Sequence, residues 1–268
     1  MKMVKCLYAI ILSGMVVSGI AFAEEEFYLV KAGTYVVGSP STEDWRETDE
    51  EERKVNVEAF YIGITEVTQK EYERVTKENP SSFKGANNPV ENITLLDAVQ
   101  YCNARSRMEG LTVAYKISGD EITWNKNANG YRLPTEVEWE IACRAGTRTP
   151  FNLEKSIGAE DANFYGHYPY QIEQNYFTQE KLSTKPGKYR GRTMPVKSFK
   201  PNKWGLYDMH GNVSEWTFDF YNGSDYLRVV KGGGWNDFAK HMRSAYRSAI
   251  PEDEAFFARG FRVVKNAR

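Results

Sequence analysis

Between residues 147 and 202 the chain loses hydrophobic periodicity, and Tyr, Asn, Gly, Pro and Lys take over. Neither the 3.6-residue spacing of a helix nor the alternation of a strand can be traced there. A compact domain rarely carries so long an irregular segment unless function or a ligand stabilises it. The fold must therefore tolerate a large ordered excursion, and its regular elements must lie on either side. The chain is 41% hydrophobic and 26% charged, which excludes a disordered, collagen-like or multi-span membrane chain. A formal net charge of −1 argues against a nucleic-acid partner. The six Trp, 17 Tyr and 14 Phe, set among 21 Gly and ten Pro, suggest half-polar surfaces on a loop-rich fold.

The first 23 residues read as a secretory leader. Lys2 and Lys5 precede an apolar run from Leu7 to Val17, and Ala21-Phe22-Ala23 supplies a cleavage site ahead of Glu24. Ser13, Gly14, Ser18 and Gly19 dilute the run below what a membrane span needs. The mature chain, residues 24–268, is thus expected to be exported, periplasmic or secreted, with no membrane span after cleavage. Its length suits one large domain or two small ones, and no linker or repeat divides it. Cys102 and Cys143 remain after cleavage; export permits a bridge between them, but two cysteines are too few for a disulfide scaffold.

Local patterns give an α+β reading. Residues 27–38 suit a hairpin or two short strands, and residues 55–64 suit one strand. Thr68-x-x-Glu71, Thr94-x-x-Asp97 and Thr135-x-x-Glu138 are capping boxes that predict three helices. The helix patterns turn both cysteines toward apolar neighbours, as small hydrophobes rather than nucleophiles. The acidic stretch 41–54 reads as a solvated loop. Short strands are expected near 228–231 and 260–264, between Gly-rich turns. No nucleophile elbow, phosphate loop or zinc signature occurs, and His167, His210 and His241 share no metal-ligand spacing. Gly232-Gly233-Gly234 is not followed by a helix, so it suits close backbone approach better than phosphate binding. Asp208 and Glu215 flank a Gly-Asn turn, a pattern that suits a hard cation such as Ca²⁺ or simply a capped turn.

Taken in order, FYIGITEVTQKEY (60–72), GYRLPTEVEWEIACRAG (130–146), PVKSFKPNKWGLYDMHGNVSEW (195–216), VVKGGGW (229–235) and RGFRVVK (259–265) resemble the formylglycine-generating enzyme family. The resemblance implies a single irregular, loop-rich domain with C-type-lectin-like topology. It also implies a Ca²⁺ site made of the Asp208 and Glu215 side chains and the Gly211 and Val213 carbonyls. The family's second calcium site would begin at Asn163 and Phe164, but residues 185–192 supply no carboxylate, so it is not expected.

The active enzymes of the family oxidise a substrate cysteine using O₂ and copper held by a cysteine pair. Sulfur is the natural donor to soft Cu(I). Here the pair falls near Ala239 and Ser244, so neither copper nor formylglycine generation is expected. Two family branches remain: exported tailoring oxidoreductases resembling the pyoverdine-maturation proteins, and variable ligand-binding proteins. In the latter the segment between the glycines and GFR is the binding surface. That assigns Trp235, Asn236, Phe238, His241, Arg243 and Tyr246 to a ligand, with Phe256 and Phe257 nearby and about half of the set packing the core. The expected partner is an unidentified protein, peptide or glycan. His241, Glu252 and Glu254 are the acid/base candidates of the oxidoreductase alternative.

Overall fold

Among the described residues three threonines start the three α-helices of the protein, whose computed structural model describes residues 27–152, 156–168, 170 and 187–267. The predicted leader lies outside the described residues. Thr68 accepts from Glu71 N, and the Glu71 carboxylate accepts from Thr68 N, opening α1 (Gln69–Thr76). Thr94 with Asp97 opens α2 (Leu95–Met108), and Thr135 with Glu138 opens α3 (Glu136–Arg144). Each cap contributes about 1 kcal/mol by satisfying orphan amides of the first turn. α1 and α3 end on left-handed Lys77 and Ala145.

The first strands, β1 (Phe27–Val30) and β2 (Gly33–Val37), join different sheets. The single strand expected over 55–64 is in fact two, β3 (Arg53–Val57) and β4 (Phe60–Gly63), separated at Glu58-Ala59. The sequence pattern changes at that break. Val55 and Val57 alternate with polar residues on half-exposed β3, whereas β4 is almost wholly buried. β2 pairs antiparallel with β3, while β4 lies between β1 and the last strand of the chain. β5 (Tyr115–Ser118) and β6 (Glu121–Trp124) form a hairpin through Gly119-Asp120, with Gly119 at φ 61°. That two-residue signal was in the sequence and the reading above passed over it.

The remaining sheet contains β7 (Ser214–Phe220), β8 (Leu227–Lys231), β9 (Ser248–Pro251) and β10 (Arg259–Gly260), in the order β10-β7-β8-β9. The strand expected over 260–264 is divided between sheets. β10 runs parallel to β7, then Phe261, Arg262 and Val263 cross over, and β11 (Val264–Asn266) pairs with β4. All three crossing residues are fully buried.

Three apolar clusters form the interior. One packs α1 and α2 against Trp216, Phe261 and Val263; a second packs α3 against Val30, Phe60 and Ile62. The third binds the irregular excursion to the chain: Phe151, Ile157, Ala162, Phe164 and Tyr170 meet Ala239 and Met242, with Trp45 alongside. Among the described residues, no helix is long and apolar enough to cross a membrane. Cys102 and Cys143 are both free and buried.

The acidic stretch 41–54 is a solvated loop only in part: most of its residues are exposed, but Glu43 and Glu50 enter the interior to meet Arg243, and Asp49 lies 3.3 Å from Arg247. Composition suggested solvent throughout, but buried Arg243 and half-buried Arg247, far along the chain, supply counter-charges.

Candidate functional site

The glycine run 232–234 brings the backbone closer to its neighbours than any side chain would allow. A Cβ on Gly233 would fall 2.9 Å from Met242 Cγ, and one on Gly234 would fall 2.8 Å from the Ala258 carbonyl. Gly232 and Gly233 also sit at φ 87° and 65°, the left-handed region. The next residue, Trp235, is fixed by its amide donating to the Asn212 carbonyl at 2.9 Å. Its indole becomes the centre of a row of rings drawn from distant segments.

On one side, Trp235 meets Phe83 edge-to-face at 5.4 Å and Phe257 at 5.6 Å, and Phe257 leads to Phe256 at 4.3 Å. On the other side it stacks on Tyr189 at 5.9 Å. Tyr189 contacts Tyr165 at 4.7 Å and His167 at 5.6 Å, and Tyr165 contacts Phe238 at 5.3 Å. Phe238 then reaches His241, which lies 4.9 Å from Tyr246. Most of these rings are half-buried, while Phe257 is 38% exposed. The third apolar cluster adjoins the row along the chain, since buried Phe164 precedes Tyr165 and buried Ala239 follows Phe238.

Of the six residues assigned to a ligand, Trp235, Phe238, His241 and Tyr246 lie in this row. Asn236 adjoins it, with a buried Oδ1 that has no hydrogen-bond partner. Arg243 is a correction: it is fully buried and does not face a ligand. Its Nε donates to the Lys240 carbonyl, Nη1 to Glu43 and Glu50, and Nη2 to Glu50 and the Trp45 carbonyl. All five N–H groups are thus spoken for by the chain itself. Glu252 pairs with Arg228 and Glu254 with Arg259, so two of the acid/base candidates are already engaged.

The positions aligned with the catalytic thiols are interior. Ala239 packs in the third cluster, and Ser244 is fully buried with its amide bound to the Pro150 carbonyl. Cys143 of α3 comes within 3.5 Å of Ser244 Oγ and 3.7 Å of His210 Nε2. Burial pushes its thiol up to about 12, so it stays neutral. His210 is neutral too: burial brings it down to about 4, and Nε2 accepts from Asn152 N at 3.0 Å. Nδ1 therefore carries the proton, donated to the Met242 carbonyl at 2.7 Å.

Behind the row lies a buried carboxylate cluster. Glu215 is fully buried; its Oε1 accepts from Arg262 Nη2, and its Oε2 accepts from Arg262 Nε and Trp139 Nε1, all at 2.7 Å. Asp208 adopts a left-handed backbone at φ 56°, and its Oδ2 accepts from Lys197 N. Burial raises the Asp208 carboxyl to about 6. Glu66 was overlooked in the sequence. Burial first, then the charges of Asp208 and Glu215, hold its carboxyl well above the usual range, and its Oε1 has no hydrogen-bond partner. Gly211 and Asn212 turn at φ 83° and 67°, and a Cβ on Gly211 would lie 2.3 Å from the Asn163 carbonyl.

These groups fit a hard cation on one condition. Three carboxylates face one guanidinium, which leaves anionic excess and an orphaned buried oxygen. Glu215 Oε1 retains one lone-pair direction. Among the described residues, however, no group of three or more His, Cys, Asp or Glu is arranged to hold a metal. A cation here must draw on main-chain carbonyls, as Ca²⁺ does and Zn²⁺ does not.

Phe83, Tyr165, His167 and Tyr189 were not anticipated in the row. The only sequence signal was the density of aromatics within the aperiodic stretch, which does not say which rings meet.

Comparison with known proteins agrees with this geometry. Residues 17–267 match the family model of the sulfatase-modifying factor enzyme 1-like domain. The chain is similar to the chaperone protein LppX of Paenibacillus barcinonensis, 33% identical over 95% of this chain and 94% of that one. It is also similar to the formylglycine-generating enzyme of Bos taurus, 25% identical over 87% of this chain and 72% of the relative. Among solved structures, Treponema denticola variable protein 1 superposes with a TM-score of 0.73 at 25% identity, covering 90% of this chain and 94% of that one. The chain belongs to the sulfatase-modifying factor domain family, with the formylglycine-generating enzymes among its members.

Proposed function

We propose that this is an exported protein-binding module of the family that does not generate formylglycine. The observation that carries the reading is the continuous, partly exposed row of rings centred on Trp235, adjoining a packed cluster. Aromatic anchors set in a rigid frame are the usual source of binding energy at protein surfaces. The similarity to a relative named as a chaperone, nearly full length in both chains, favours a polypeptide over a glycan as the partner. Against the oxidase chemistry stand Ala239 and Ser244, neither of which offers a thiolate. Cys143 lies close to Ser244 but is held as a neutral buried thiol, so it does not replace the pair.

Calcium belongs to the same proposal. The Asp208 carboxylate, the Gly211 and Val213 carbonyls and the remaining lone pair of Glu215 Oε1 would hold it. Its contribution is charge compensation for the carboxylates, which fixes the turn that anchors Trp235. Asn212 makes that link, since its carbonyl accepts the Trp235 amide.

Two experiments test the reading. The exported form is expected to bind unfolded polypeptide and to lose most of that affinity in Phe257→Ala, an exposed ring. Protein incubated with copper is expected to form no aldehyde from a cysteine peptide in air; aldehyde formation overturns the proposal. For calcium, saturation at a hundredfold over Kd should add about 2.7 kcal/mol of stability. That raises the melting temperature by roughly 5–10 °C for a domain of this size. Asp208→Asn should abolish the rise, and an identical melt with calcium and with chelator refutes the site.

A further inference from the structure

Resting on that reading, the structure assigns the ring row a charge preference: we propose that it takes acidic, apolar polypeptide segments, selected by a basic border at Lys188 and Arg192. The border comes from the second half of the irregular excursion. Residues 187–203 contain six lysines and arginines and no Asp or Glu, in a chain whose formal net charge is −1. The segment is laid down firmly. Arg190 donates to the carbonyls of Ala159 and Ala162, Asn163 Nδ2 donates to the Arg192 carbonyl, and Met194 N donates to Asn212 Oδ1.

This path places Tyr189 inside the row, against Trp235 and Tyr165, with exposed Lys188 beside it. Exposed Arg192 lies over the Phe83 ring at 5.9 Å, and Phe83 in turn touches Trp235 and Phe257. Neither cation has an acidic partner among the described residues.

Two carboxylates around the row are in the opposite condition, since Glu252 is 2.8 Å from Arg228 and Glu254 is 3.1 Å from Arg259. Asp253 accepts from Tyr226 Oη at 2.5 Å and Asp237 from Gly234 N at 2.8 Å, neutral donors that leave each its charge. The charge that Lys188 and Arg192 leave for a partner is positive and sits at their own border of the apolar surface. Such complementarity selects partners and speeds encounter more than it adds affinity. A uniform polyanion fits less well: recognition of a phosphate polymer needs a cation for each contacted phosphate, and here two cations border a long row of rings. A polypeptide that alternates apolar side chains with a few carboxylates matches both halves of the surface.

The test uses the exported form and three labelled dodecapeptides that share Trp, Leu and Phe positions and differ only in carrying Glu, Gln or Lys between them. At low salt the Glu peptide should bind about tenfold more tightly than the Lys peptide, and 0.5 M salt should remove most of the difference because exposed charges are screened. The double variant Lys188→Glu/Arg192→Glu should level or reverse the order while leaving the Gln peptide within twofold. Phe257→Ala should weaken all three. Equal affinity for the three peptides overturns the charge preference alone. Tight binding of inorganic polyphosphate that is indifferent to Phe257→Ala replaces the polypeptide with a polyanion. Failure of all three peptides removes the protein-binding reading itself.

Discussion

Replacing Arg243 by methionine separates a buried structural role from a ligand-binding one. Arg243 is fully buried and bridges two carboxylates that are themselves nearly inaccessible: Glu43 at 2.9 Å with 2% side-chain exposure, and Glu50 at 2.6 Å with none. Methionine keeps roughly the length and the apolar stem while withdrawing five N–H donors from Glu43, Glu50 and two main-chain carbonyls. Removing one partner of a buried ion pair costs about 3–5 kcal/mol, because the remaining charge is left uncompensated. At about 2–4 °C per kcal/mol for a domain of this size, the melting temperature should fall by roughly 10 °C or more.

The loss should depend on pH in a direction fixed by the carboxylates. Burial already raises the Glu43 carboxyl above its ordinary value although Arg243 lies beside it. Without the guanidinium, which lowers it, the Glu43 carboxyl takes up a proton more readily in the folded chain than in the unfolded one. Its penalty is present at neutral pH and shrinks on acidification, so the variant should lie closer to the parent at pH 5 than at pH 8. Thermal melts at both pH values read this directly, and Glu50→Gln in the Arg243→Met background should restore part of the loss. An Arg243→Met protein that melts like the parent but no longer binds polypeptide would refute the reasoning and return the residue to the binding surface.

Other outcomes follow from the same contacts. Gly211→Ala should cost several kcal/mol in urea denaturation, since it adds a 2.3 Å approach to the Asn163 carbonyl to an unfavourable φ of 83°. Gly146→Ala, at φ 87° with open space around it, should cost only about 1–2 kcal/mol, the strain alone; equal costs would refute the packing argument. His210, held down to about 4 by burial, is neutral when folded and charges on unfolding. It contributes stability above pH 6.5 that is lost as pH falls toward 4, by about 3 kcal/mol. In chelator, His210→Gln should therefore lose less stability, or gain more, than the parent between pH 6.5 and 5, the opposite trend of Asp208 being common to both. Thiol titration of residues 24–268 should find no reactive group in the native state and two on unfolding without reductant, because Cys102 and Cys143 are buried and not in a disulfide. A single reactive thiol before unfolding would contradict the neutral, enclosed state of Cys143.

The parts of this fold that could be read in the sequence are those fixed by neighbours a few residues away. Thr68, Thr94 and Thr135 declare helix starts because the cap and its partner are three residues apart. The glycines at 232–234 announce close approach, although not against which atoms. What was missed depends on residues far apart in the chain. Nothing around Arg243 distinguishes a surface guanidinium from one that meets Glu43 and Glu50 some two hundred residues earlier. Glu66 sits in a segment that names the family, yet its burial beside Asp208 and Glu215 arises only when β7 and the turn after β4 come together. Tyr189 and Phe83 are ordinary aromatics until Trp235 brings them together.

The third apolar cluster joins the irregular excursion to the turn after the glycine run. Ala239 is pressed among Phe151, Phe164 and Met242, and Ser244 is tied to the Pro150 carbonyl. Those contacts anchor the irregular excursion, while Tyr165 and Tyr189 of the same excursion stand in the row. A small side chain at 239 leaves room for Phe151 and Phe164 to pack in one cluster with the 3₁₀ turn Ala239–Met242. A larger residue there would act on binding through the support: Ala239→Leu should loosen the row and lower polypeptide affinity without touching the ligand.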